Sequence, residues 1–383
     1  MIINCKWIFD GNTLYKDKAI QTKNGEIASS HLLKKFYTED KIIDREGLCI
    51  PAFVNTHTHI ELSYLKGKLS KEKGFLTWLK HIIALKKIPV SNKRKLDEAK
   101  KAINTLKKSG VVYIGDTSNT LSCKELIEKN FVDGAIFVEI YGKKHIPTLK
   151  QRKHFPLCIS PHTIYSTEPE MLLKIFNIHQ KENTPLSIHI AESMEECEFV
   201  RKEGKMYNFL KIIGSLKKDL PEAKTPVQYL KRLNVIDKNT ILVHCVHITD
   251  EDIDIIENSG TSIALCLRSN NYIGVGFPPM EKLINRNINI SIGTDSLASV
   301  DNTNFLEEIQ FIFKTFPFIN PKLIFFWATL GGMKALKLNP NFHYFQFINV
   351  GSNEPLEEAL TESTEVCSLS SILPENHPHN LPL

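Results

Sequence analysis

The stretch Pro51-Ala-Phe-Val-Asn-Thr-His57-Thr-His59 is an apolar run that ends in two histidines, two residues apart. In an extended strand, residues two apart point to the same side, so both imidazoles can face one cavity. Such a pair can chelate a metal ion, but by itself it is equally well explained as two hydrogen-bonded core histidines. The choice between these interpretations depends on the rest of the chain.

Seven further apolar or β-branched runs follow the first one, and segments of helical spacing lie between them. Repeated strand and helix units of this kind predict an α/β fold, here a (β/α)8 TIM barrel over residues 47–337. The predicted strands are Leu48–Val54, Val111–Asp116, Ala135–Ile140, Leu157–Ser160, Leu186–His189, Ile241–His244, Ser262–Cys266 and Ile288–Gly293. The predicted helices include Phe75–Lys87, Asn92–Lys108, Pro169–Gln180, Thr249–Asn258 and Asn304–Thr315.

The segments outside this pattern indicate a small β domain. Ile2–Phe9 and Lys18–Ile27 are strand-like runs joined through a turn at Asp10-Gly11-Asn12, and His343–Val350 is a similar run near the other end. Residues 371–383 are polar and offer little apolar surface to bury, so we expect a disordered tail.

Composition argues against several classes of protein. The 383 residues are 42% hydrophobic, enough for a large core, yet no run is long enough to span a bilayer. The first residues lack a secretory signal, so we expect a cytoplasmic protein. The eight cysteines form no CxxC pairs, which favours reduced thiols. The net charge of +5 is modest and the basic segment 93–108 has helical spacing, so no nucleic-acid partner is expected.

Four further polar residues end other predicted strands, at the barrel face where active sites are built. They are His189, Glu192, His244 and Asp295. Three imidazoles and one carboxylate suit one divalent ion, Zn²⁺ first, with Fe(II) or Mn(II) as alternatives. Such an ion lowers the pKa of a bound water. Glu192 is then a candidate to carry protons to a substrate ring nitrogen, and His244 to orient the water.

Five motifs, taken in order, resemble the amidohydrolase superfamily, in particular its adenosine- and cytosine-type deaminase branch. They are Pro51–His59, Ser160-Pro-His162-Thr-Ile-Tyr165-Ser166, His189-Ile-Ala-Glu192, Val243-His244-Cys245 and Gly293-Thr-Asp295-Ser296. The resemblance implies His57, His59, His189 and Asp295 as metal ligands. It implies Glu192, His244 and Asp295 as the proton-handling residues and His162 as a purine contact. The fourth strand offers no lysine for carboxylation, which favours one metal ion over two.

The resemblance also implies a small, β-sandwich-like accessory domain built from both chain ends, here residues 1–46 and 338–370, and a homodimer. The chain departs from the family in this region. Relatives usually open the C-terminal strands with a Gly-Lys-x-Ala-Asp-like stretch, whereas this chain has Leu338-Asn-Pro-Asn-Phe-His-Tyr. The accessory domain is therefore expected to be truncated or rebuilt.

Three segments look most similar to the aminodeoxyfutalosine deaminases of menaquinone biosynthesis. They are Phe75-Leu-Thr-Trp78-Leu79, His189 through Glu196, and Leu265-Cys-Leu-Arg268-Ser269-Asn270. The similarity implies conversion of 6-amino-6-deoxyfutalosine, a purine nucleoside with a distal carboxylate, to futalosine and ammonia, with Trp78 at the substrate. Lys86, Lys87 or Arg268 would bind that carboxylate. The two lysines are equally well explained as helix-surface charges.

Two alternatives stay open at this point. The same site could deaminate S-adenosylhomocysteine, methylthioadenosine or guanine, or could remove chloride from a ring. The chain could also be a non-catalytic scaffold, although scaffolds of this fold have typically lost metal ligands that are all present here. The zinc deaminases that act on flipped bases are excluded, because their signature, an H-x-E together with a P-C-x-x-C, is absent.

Overall fold

The computed structural model describes residues 2–23, 26–27, 33–34, 42–71, 73–142, 145–147, 154–212, 222–339, 344–361 and 366–368. The strands in these ranges are β1 (Ile2–Phe9), β2 (Leu14–Lys23), β3 (Glu26–Ile27), β4 (Leu33–Lys34), β5 (Ile42–Pro51), β6 (Phe53–Thr58), β7 (Val111–Ser118), β8 (Asp133–Ile140), β9 (Leu157–Pro161), β10 (Leu186–Ile190), β11 (Thr240–His244), β12 (Ser262–Leu265), β13 (Ile290–Ile292), β14 (Phe345–Ile348) and β15 (Val366–Ser368).

The α-helices in the same ranges are α1 (Phe75–Lys86), α2 (Asn92–Lys108), α3 (Lys124–Asn130), α4 (Pro169–Glu182), α5 (Met194–Val200), α6 (Gly204–Ile212), α7 (Pro226–Leu233), α8 (Asp250–Ser259), α9 (Leu267–Ile273), α10 (Met280–Leu283), α11 (Phe305–Thr315), α12 (Pro321–Phe326), α13 (Gly332–Ala335) and α14 (Pro355–Thr361). A 3-10 helix spans Ile60–Leu65 and a π-helical turn spans Trp327–Gly331. No helix in the described part of the chain has the length and apolarity needed to cross a membrane.

Eight parallel strands surround the centre of the fold. They form two four-stranded sheets, β6-β7-β8-β9 and β10-β11-β12-β13. At one seam between the sheets, the His189 amide donates to the carbonyl of His162 at 3.1 Å. At the other, the Asp295 amide donates to the carbonyl of His57 at 3.0 Å, and Thr58 and Asp295 form a parallel bridge. The predicted α/β class is confirmed, and the two seams close the eight strands into a barrel.

The first predicted strand, Leu48–Val54, was wrong, because it joins parts of two strands. Residues up to Pro51 belong to β5, which pairs with β1 and β14, and the barrel strand β6 begins at Phe53. Both strands are buried, so the run of apolar residues continues across the break. The pattern of hydrophobic residues therefore could not show where one sheet ends and the other begins.

The outer helices α2, α8 and α11 begin directly after residues that cap their first turns. Ser91, Thr249 and Asn304 each accept a hydrogen bond from a backbone amide in the first turn of α2, α8 and α11. Helix α2 buries Ala99, Ala102, Ile103 and Leu106, spaced three or four residues apart, against the barrel. The basic residues predicted to face solvent thus lie on the opposite face of this helix.

Strands from both chain ends share one sheet, in the order β15-β14-β5-β1-β2-β3, with β4 paired to β2. In this sheet β14 runs antiparallel to β5, with Phe345 opposite Pro51. The predicted strand Lys18–Ile27 differs from the structure, where β2 already begins at Leu14 and residues 24–25 are outside the described residues. The accessory-domain bounds of 1–46 and 338–370 stay a prediction. The predicted tail, residues 371–383, and residue 343 also lie outside the described residues.

Gly134 is where β8 packs most closely on β7. A Cβ at this position would lie 1.9 Å from the backbone oxygen of Ile114, an atom that the strand pairing holds in place. We expect Gly134→Ala to lower the free energy of unfolding by about 2–4 kcal/mol, measured by chemical denaturation. Gly351→Ala is the control, because its Cβ would meet only Glu358 Oε1 at 3.9 Å. Equal stability of both variants would contradict the prediction.

Candidate active site

Four polar side chains converge at the carboxyl ends of the barrel strands. His57 lies in β6 and His189 in β10, while His59 directly follows β6 and Asp295 lies three residues after the end of β13. The Nε2 atom of His189 lies 3.2 Å from Nε2 of both His57 and His59. The Oδ1 atom of Asp295 lies 3.8 Å from His57 Nε2 and 3.7 Å from His59 Nε2. The structure thus brings together the four predicted metal ligands, from strands far apart in sequence.

The donor set fits one divalent ion. Two ligand atoms at metal distances of about 2.0–2.1 Å around a tetrahedral centre lie roughly 3.3 Å apart, close to the spacing of the three Nε2 atoms. The other ring nitrogen of His189 faces the carbonyl oxygen of His162 at 3.1 Å, which leaves Nε2 for the site. Burial lowers the pKa of His57 and His59, so both rings stay neutral and keep the lone pairs that a metal requires.

The carboxylate of Asp295 is fixed by three hydrogen bonds. Its Oδ2 accepts from the hydroxyls of Ser269 at 2.6 Å and Ser299 at 3.1 Å, and its Oδ1 accepts from the Ser296 amide at 2.7 Å. Burial by itself raises the pKa of Asp295, but the His59 and His244 imidazoles and the Ser269 hydroxyl outweigh it, and the net pKa is lowered. Asp295 is therefore held as a carboxylate that can serve as a metal ligand.

Glu192 and His244 face each other beside the four donors. The Oε1 atom of Glu192 lies 3.6 Å from His244 Nε2, and His244 Nδ1 lies 2.9 Å from Asn270 Oδ1. Burial raises the pKa of Glu192 well above its usual value, and the Asp295 and Glu196 carboxyls raise it further. Burial lowers the pKa of His244 to about 4. The surroundings therefore shift the two pKa values in opposite directions, so that the protonated carboxyl of Glu192 and the neutral imidazole of His244 are both favoured, as in sites that divide acid and base roles.

The backbone is strained at the turns that carry these residues. Ala191, His244, Cys245 and Asp295 have φ between 51° and 77°, in the left-handed region that non-glycine residues rarely adopt. Each such residue costs on the order of 1–3 kcal/mol unless its surroundings hold it. Strain of this kind clusters at functional sites, which agrees with the position of all four residues at strand ends.

A cavity of about 680 Å³ opens from the donor set toward solvent. Of the predicted substrate residues, His162, Trp78, Lys86 and Lys87 line it together with Glu192. The Trp78 indole N–H donates to the carbonyl of Ala298 at 3.0 Å, so its ring is held in place at the wall. Much of the remaining wall is apolar and is formed by Leu79, Ile82, Ile83, Phe199, Met206, Phe209 and Leu210.

Arg268 is the one predicted substrate residue that the structure does not bring to this cavity. Its guanidinium is 14% exposed and donates to Glu307 Oε2 at 3.0 Å and to Asn302 Oδ1 at 3.3 and 3.2 Å. It lines a separate cavity of about 200 Å³ with Lys71. Arg268 precedes Ser269 and Asn270 in α9, and successive residues of a helix point in different directions, so Ser269 and Asn270 reach Asp295 and His244 while Arg268 does not.

Two residues of the site were missed from the sequence, Glu139 and Asn119. The Glu139 carboxyl lies 3.6 Å from His189 Nδ1 and accepts a hydrogen bond from the Asn119 side chain, which in turn accepts from Lys86 Nζ at 2.9 Å. Burial raises the pKa of Glu139, but His162, His189 and His59 together lower it to about 2. Glu139 could have been found from the sequence, because it is a charged residue inside the apolar run Ala135–Ile140, near the end of a predicted strand.

Comparisons with known proteins agree with this geometry. A profile described as Amidohydrolase family matches residues 48–342. The chain is 27% identical over 320 residues to a 5-methylthioadenosine/S-adenosylhomocysteine deaminase of Clostridium tetani, covering 77% of this chain and 69% of the relative. It is 25% identical to an aminodeoxyfutalosine deaminase of Deinococcus radiodurans, covering 76% and 74%. With three further 5-methylthioadenosine/S-adenosylhomocysteine deaminases, the match covers only 59–63% of the relative's length.

Among solved structures, the fold is similar to that of Helicobacter pylori aminofutalosine deaminase in complex with methylthio-coformycin. The TM-score is 0.80 and the match covers 95% of this chain and 97% of the other, at 20% identity. At 20% sequence identity, this similarity shows that the two proteins share a fold and nothing more.

We expect Glu139→Gln to weaken binding of a divalent metal about 10- to 100-fold, because groups behind a ligand histidine set its orientation and basicity. The dissociation constant for Zn²⁺ is measured by competition with a chelator. Glu125→Gln on exposed α3 is the control, since it removes the same charge away from the site. An unchanged affinity in Glu139→Gln would show that Glu139 does not act on His189.

Proposed function

Because the chain belongs to the amidohydrolase family, we propose that it is a hydrolytic deaminase of an adenine nucleoside. We further propose that His57, His59, His189 and Asp295 hold one divalent metal ion, Zn²⁺. The observation that carries this proposal is the convergence of the four donors beside the Glu192–His244 pair, whose pKa values are shifted in opposite directions. Members of this family bind a divalent metal.

The residues of the chain divide the chemistry between them. When bound, the metal ion lowers the pKa of a coordinated water and makes a nucleophile available at neutral pH. Neutral His244 would orient that water toward C6 of the adenine ring and accept the proton that the water loses on addition. Glu192 would donate its proton to N1, which draws the attack to C6. His244 would then pass its proton to the amino group, so that the C6–N bond breaks and ammonia leaves, and Glu192 would recover a proton from the C6 hydroxyl as the carbonyl forms.

We propose that His162 contacts the purine. Its Nδ1 lies 2.8 Å from the Ser166 hydroxyl, so the ring is fixed and Nε2 remains for the cavity that it lines. Burial lowers the pKa of His162 to about 4, so the imidazole is neutral at pH 7. A neutral ring with a fixed orientation suits hydrogen bonding to a neutral heterocycle.

The substrate that we propose is 6-amino-6-deoxyfutalosine, converted to futalosine and ammonia. The apolar wall of the cavity offers space for a 5′ aryl extension, and Lys86 and Lys87 supply positive charge for its carboxylate. Lys86 already uses one of its N–H donors in a hydrogen bond to Asn119. The second candidate is deamination of methylthioadenosine or S-adenosylhomocysteine, which the identity to the Clostridium tetani relative favours.

The first prediction from this proposal concerns substrate choice. We expect the zinc-loaded protein to release ammonia fastest from 6-amino-6-deoxyfutalosine in a panel with adenosine, methylthioadenosine, S-adenosylhomocysteine, guanine and a chlorinated triazine. The adenine-to-hypoxanthine absorbance change follows the same reaction. Glu192→Gln is the background control. Preference for another nucleoside or for guanine would overturn the substrate, and inactivity on all deamination substrates would overturn the deaminase assignment.

The second prediction concerns the lysines. We expect Lys86→Met and Lys87→Met each to raise KM for 6-amino-6-deoxyfutalosine roughly three- to tenfold, because each removes a charged partner of the carboxylate. KM for methylthioadenosine, which has no carboxylate at that end, should stay unchanged. Lys93→Met at the start of α2 is the control for loss of a surface charge. Equal changes in KM for both substrates would show that the lysines do not bind the carboxylate.

A further inference from the structure

Glu196 is a buried carboxyl that the proposed chemistry does not use. Its residue is 1% exposed, and it lies on α5, four residues after Glu192. The Oε2 atom of Glu196 accepts a hydrogen bond from the backbone amide of Glu192 at 3.1 Å. Within the described part of the chain, its Oε1 atom has no hydrogen-bond partner. A polar atom buried in this way is costly, so the side chain needs a compensating role.

The hydrogen bond holds a strained turn. Ala191, between His189 and Glu192, has φ of 51°, and the chain turns sharply there from β10 into α5. The Ser193 hydroxyl accepts from the amide of Glu196 at 3.4 Å, so contacts run in both directions across the turn. Burial raises the pKa of Glu196 to about 8, partly offset by the amides of Glu192 and Ala191, so the carboxyl is mostly neutral at pH 7.

We propose that Glu196 is a positioning residue for Glu192. By accepting from the Glu192 amide, it fixes the turn at Ala191 and so directs the Glu192 carboxyl toward His244 Nε2, 3.6 Å away. This inference rests on the proposed deaminase function for its kinetic test, but not for its structural one. Since misplacement by about 1 Å can cost on the order of 100-fold in rate, the loss of this contact should appear in kcat.

The test compares three substitutions at Glu196. Glu196→Gln keeps a neutral side chain of the same length with an oxygen that can accept from the amide. Glu196→Ala removes the acceptor, and Glu196→Asp keeps the acid but shortens the side chain so that it no longer reaches. Glu195→Gln on the same helix is the matched control. Melting temperature and bound zinc are measured first, to establish that each variant is folded and loaded.

We expect kcat to stay within about threefold of wild type in Glu196→Gln and to fall about 10- to 100-fold in Glu196→Ala and Glu196→Asp, with KM little changed. The pH dependence of kcat should shift in the Ala and Asp variants only, because the environment of Glu192 changes. If Glu196→Ala does not fold, Glu196→Asp carries the comparison. A rise in KM with kcat unchanged, or an Ala or Asp variant as active as Glu195→Gln, would overturn the inference.

Hydrogen exchange separates this inference from the proposed function. Exchange at the Glu192 amide should be faster in Glu196→Ala and Glu196→Asp and unchanged in Glu196→Gln, whether or not the protein deaminates a nucleoside. Wild-type inactivity on the whole panel, with this exchange pattern intact, would refute the deaminase function alone. Equal exchange in all variants would refute the contact.

Discussion

The closing seam of the barrel is the constraint on which the site depends. Asn55 and Thr294 are joined by two hydrogen bonds, from Asn55 Nδ2 to the Thr294 hydroxyl at 2.8 Å and from the Thr294 amide to Asn55 Oδ1 at 3.1 Å. Both residues are buried, so neither partner can exchange these bonds for water. The seam places Asp295 next to His57, and without it the carboxylate would have no imidazoles to face.

The seam also explains how the site tolerates its own energetic costs. Left-handed backbone at His244 and Asp295, and a cluster of buried imidazoles, would destabilise an isolated segment. Here the strand pairing on both sides and the serine hydroxyls around Asp295 hold each group in place. The buried arrangement raises the pKa of Glu192 and lowers that of His244, a difference that a solvated pair would not keep.

A hydrogen-bond path connects the distal end of the cavity with the donor set. Lys86 donates to Asn119, the Asn119 amide donates to Glu139, and the Glu139 carboxylate lies 3.6 Å from His189 Nδ1. The lysine that we propose for the substrate carboxylate is thus joined to a group that contacts His189, one of the proposed metal ligands. Arg268, the third cation predicted to bind the carboxylate, instead forms an ion pair with Glu307 and lines a separate cavity.

The sequence by itself determined the eight-strand pattern and the histidines and Asp295 at the strand ends, because the period of hydrophobic residues is a local property. It could not divide Leu48–Val54 between two sheets, since both are buried. It also could not separate Arg268 from the cavity or assign Glu139 and Glu196 their contacts. Only the tertiary structure decided these points, because the partners come from different strands and the direction of a side chain depends on which elements pack around it.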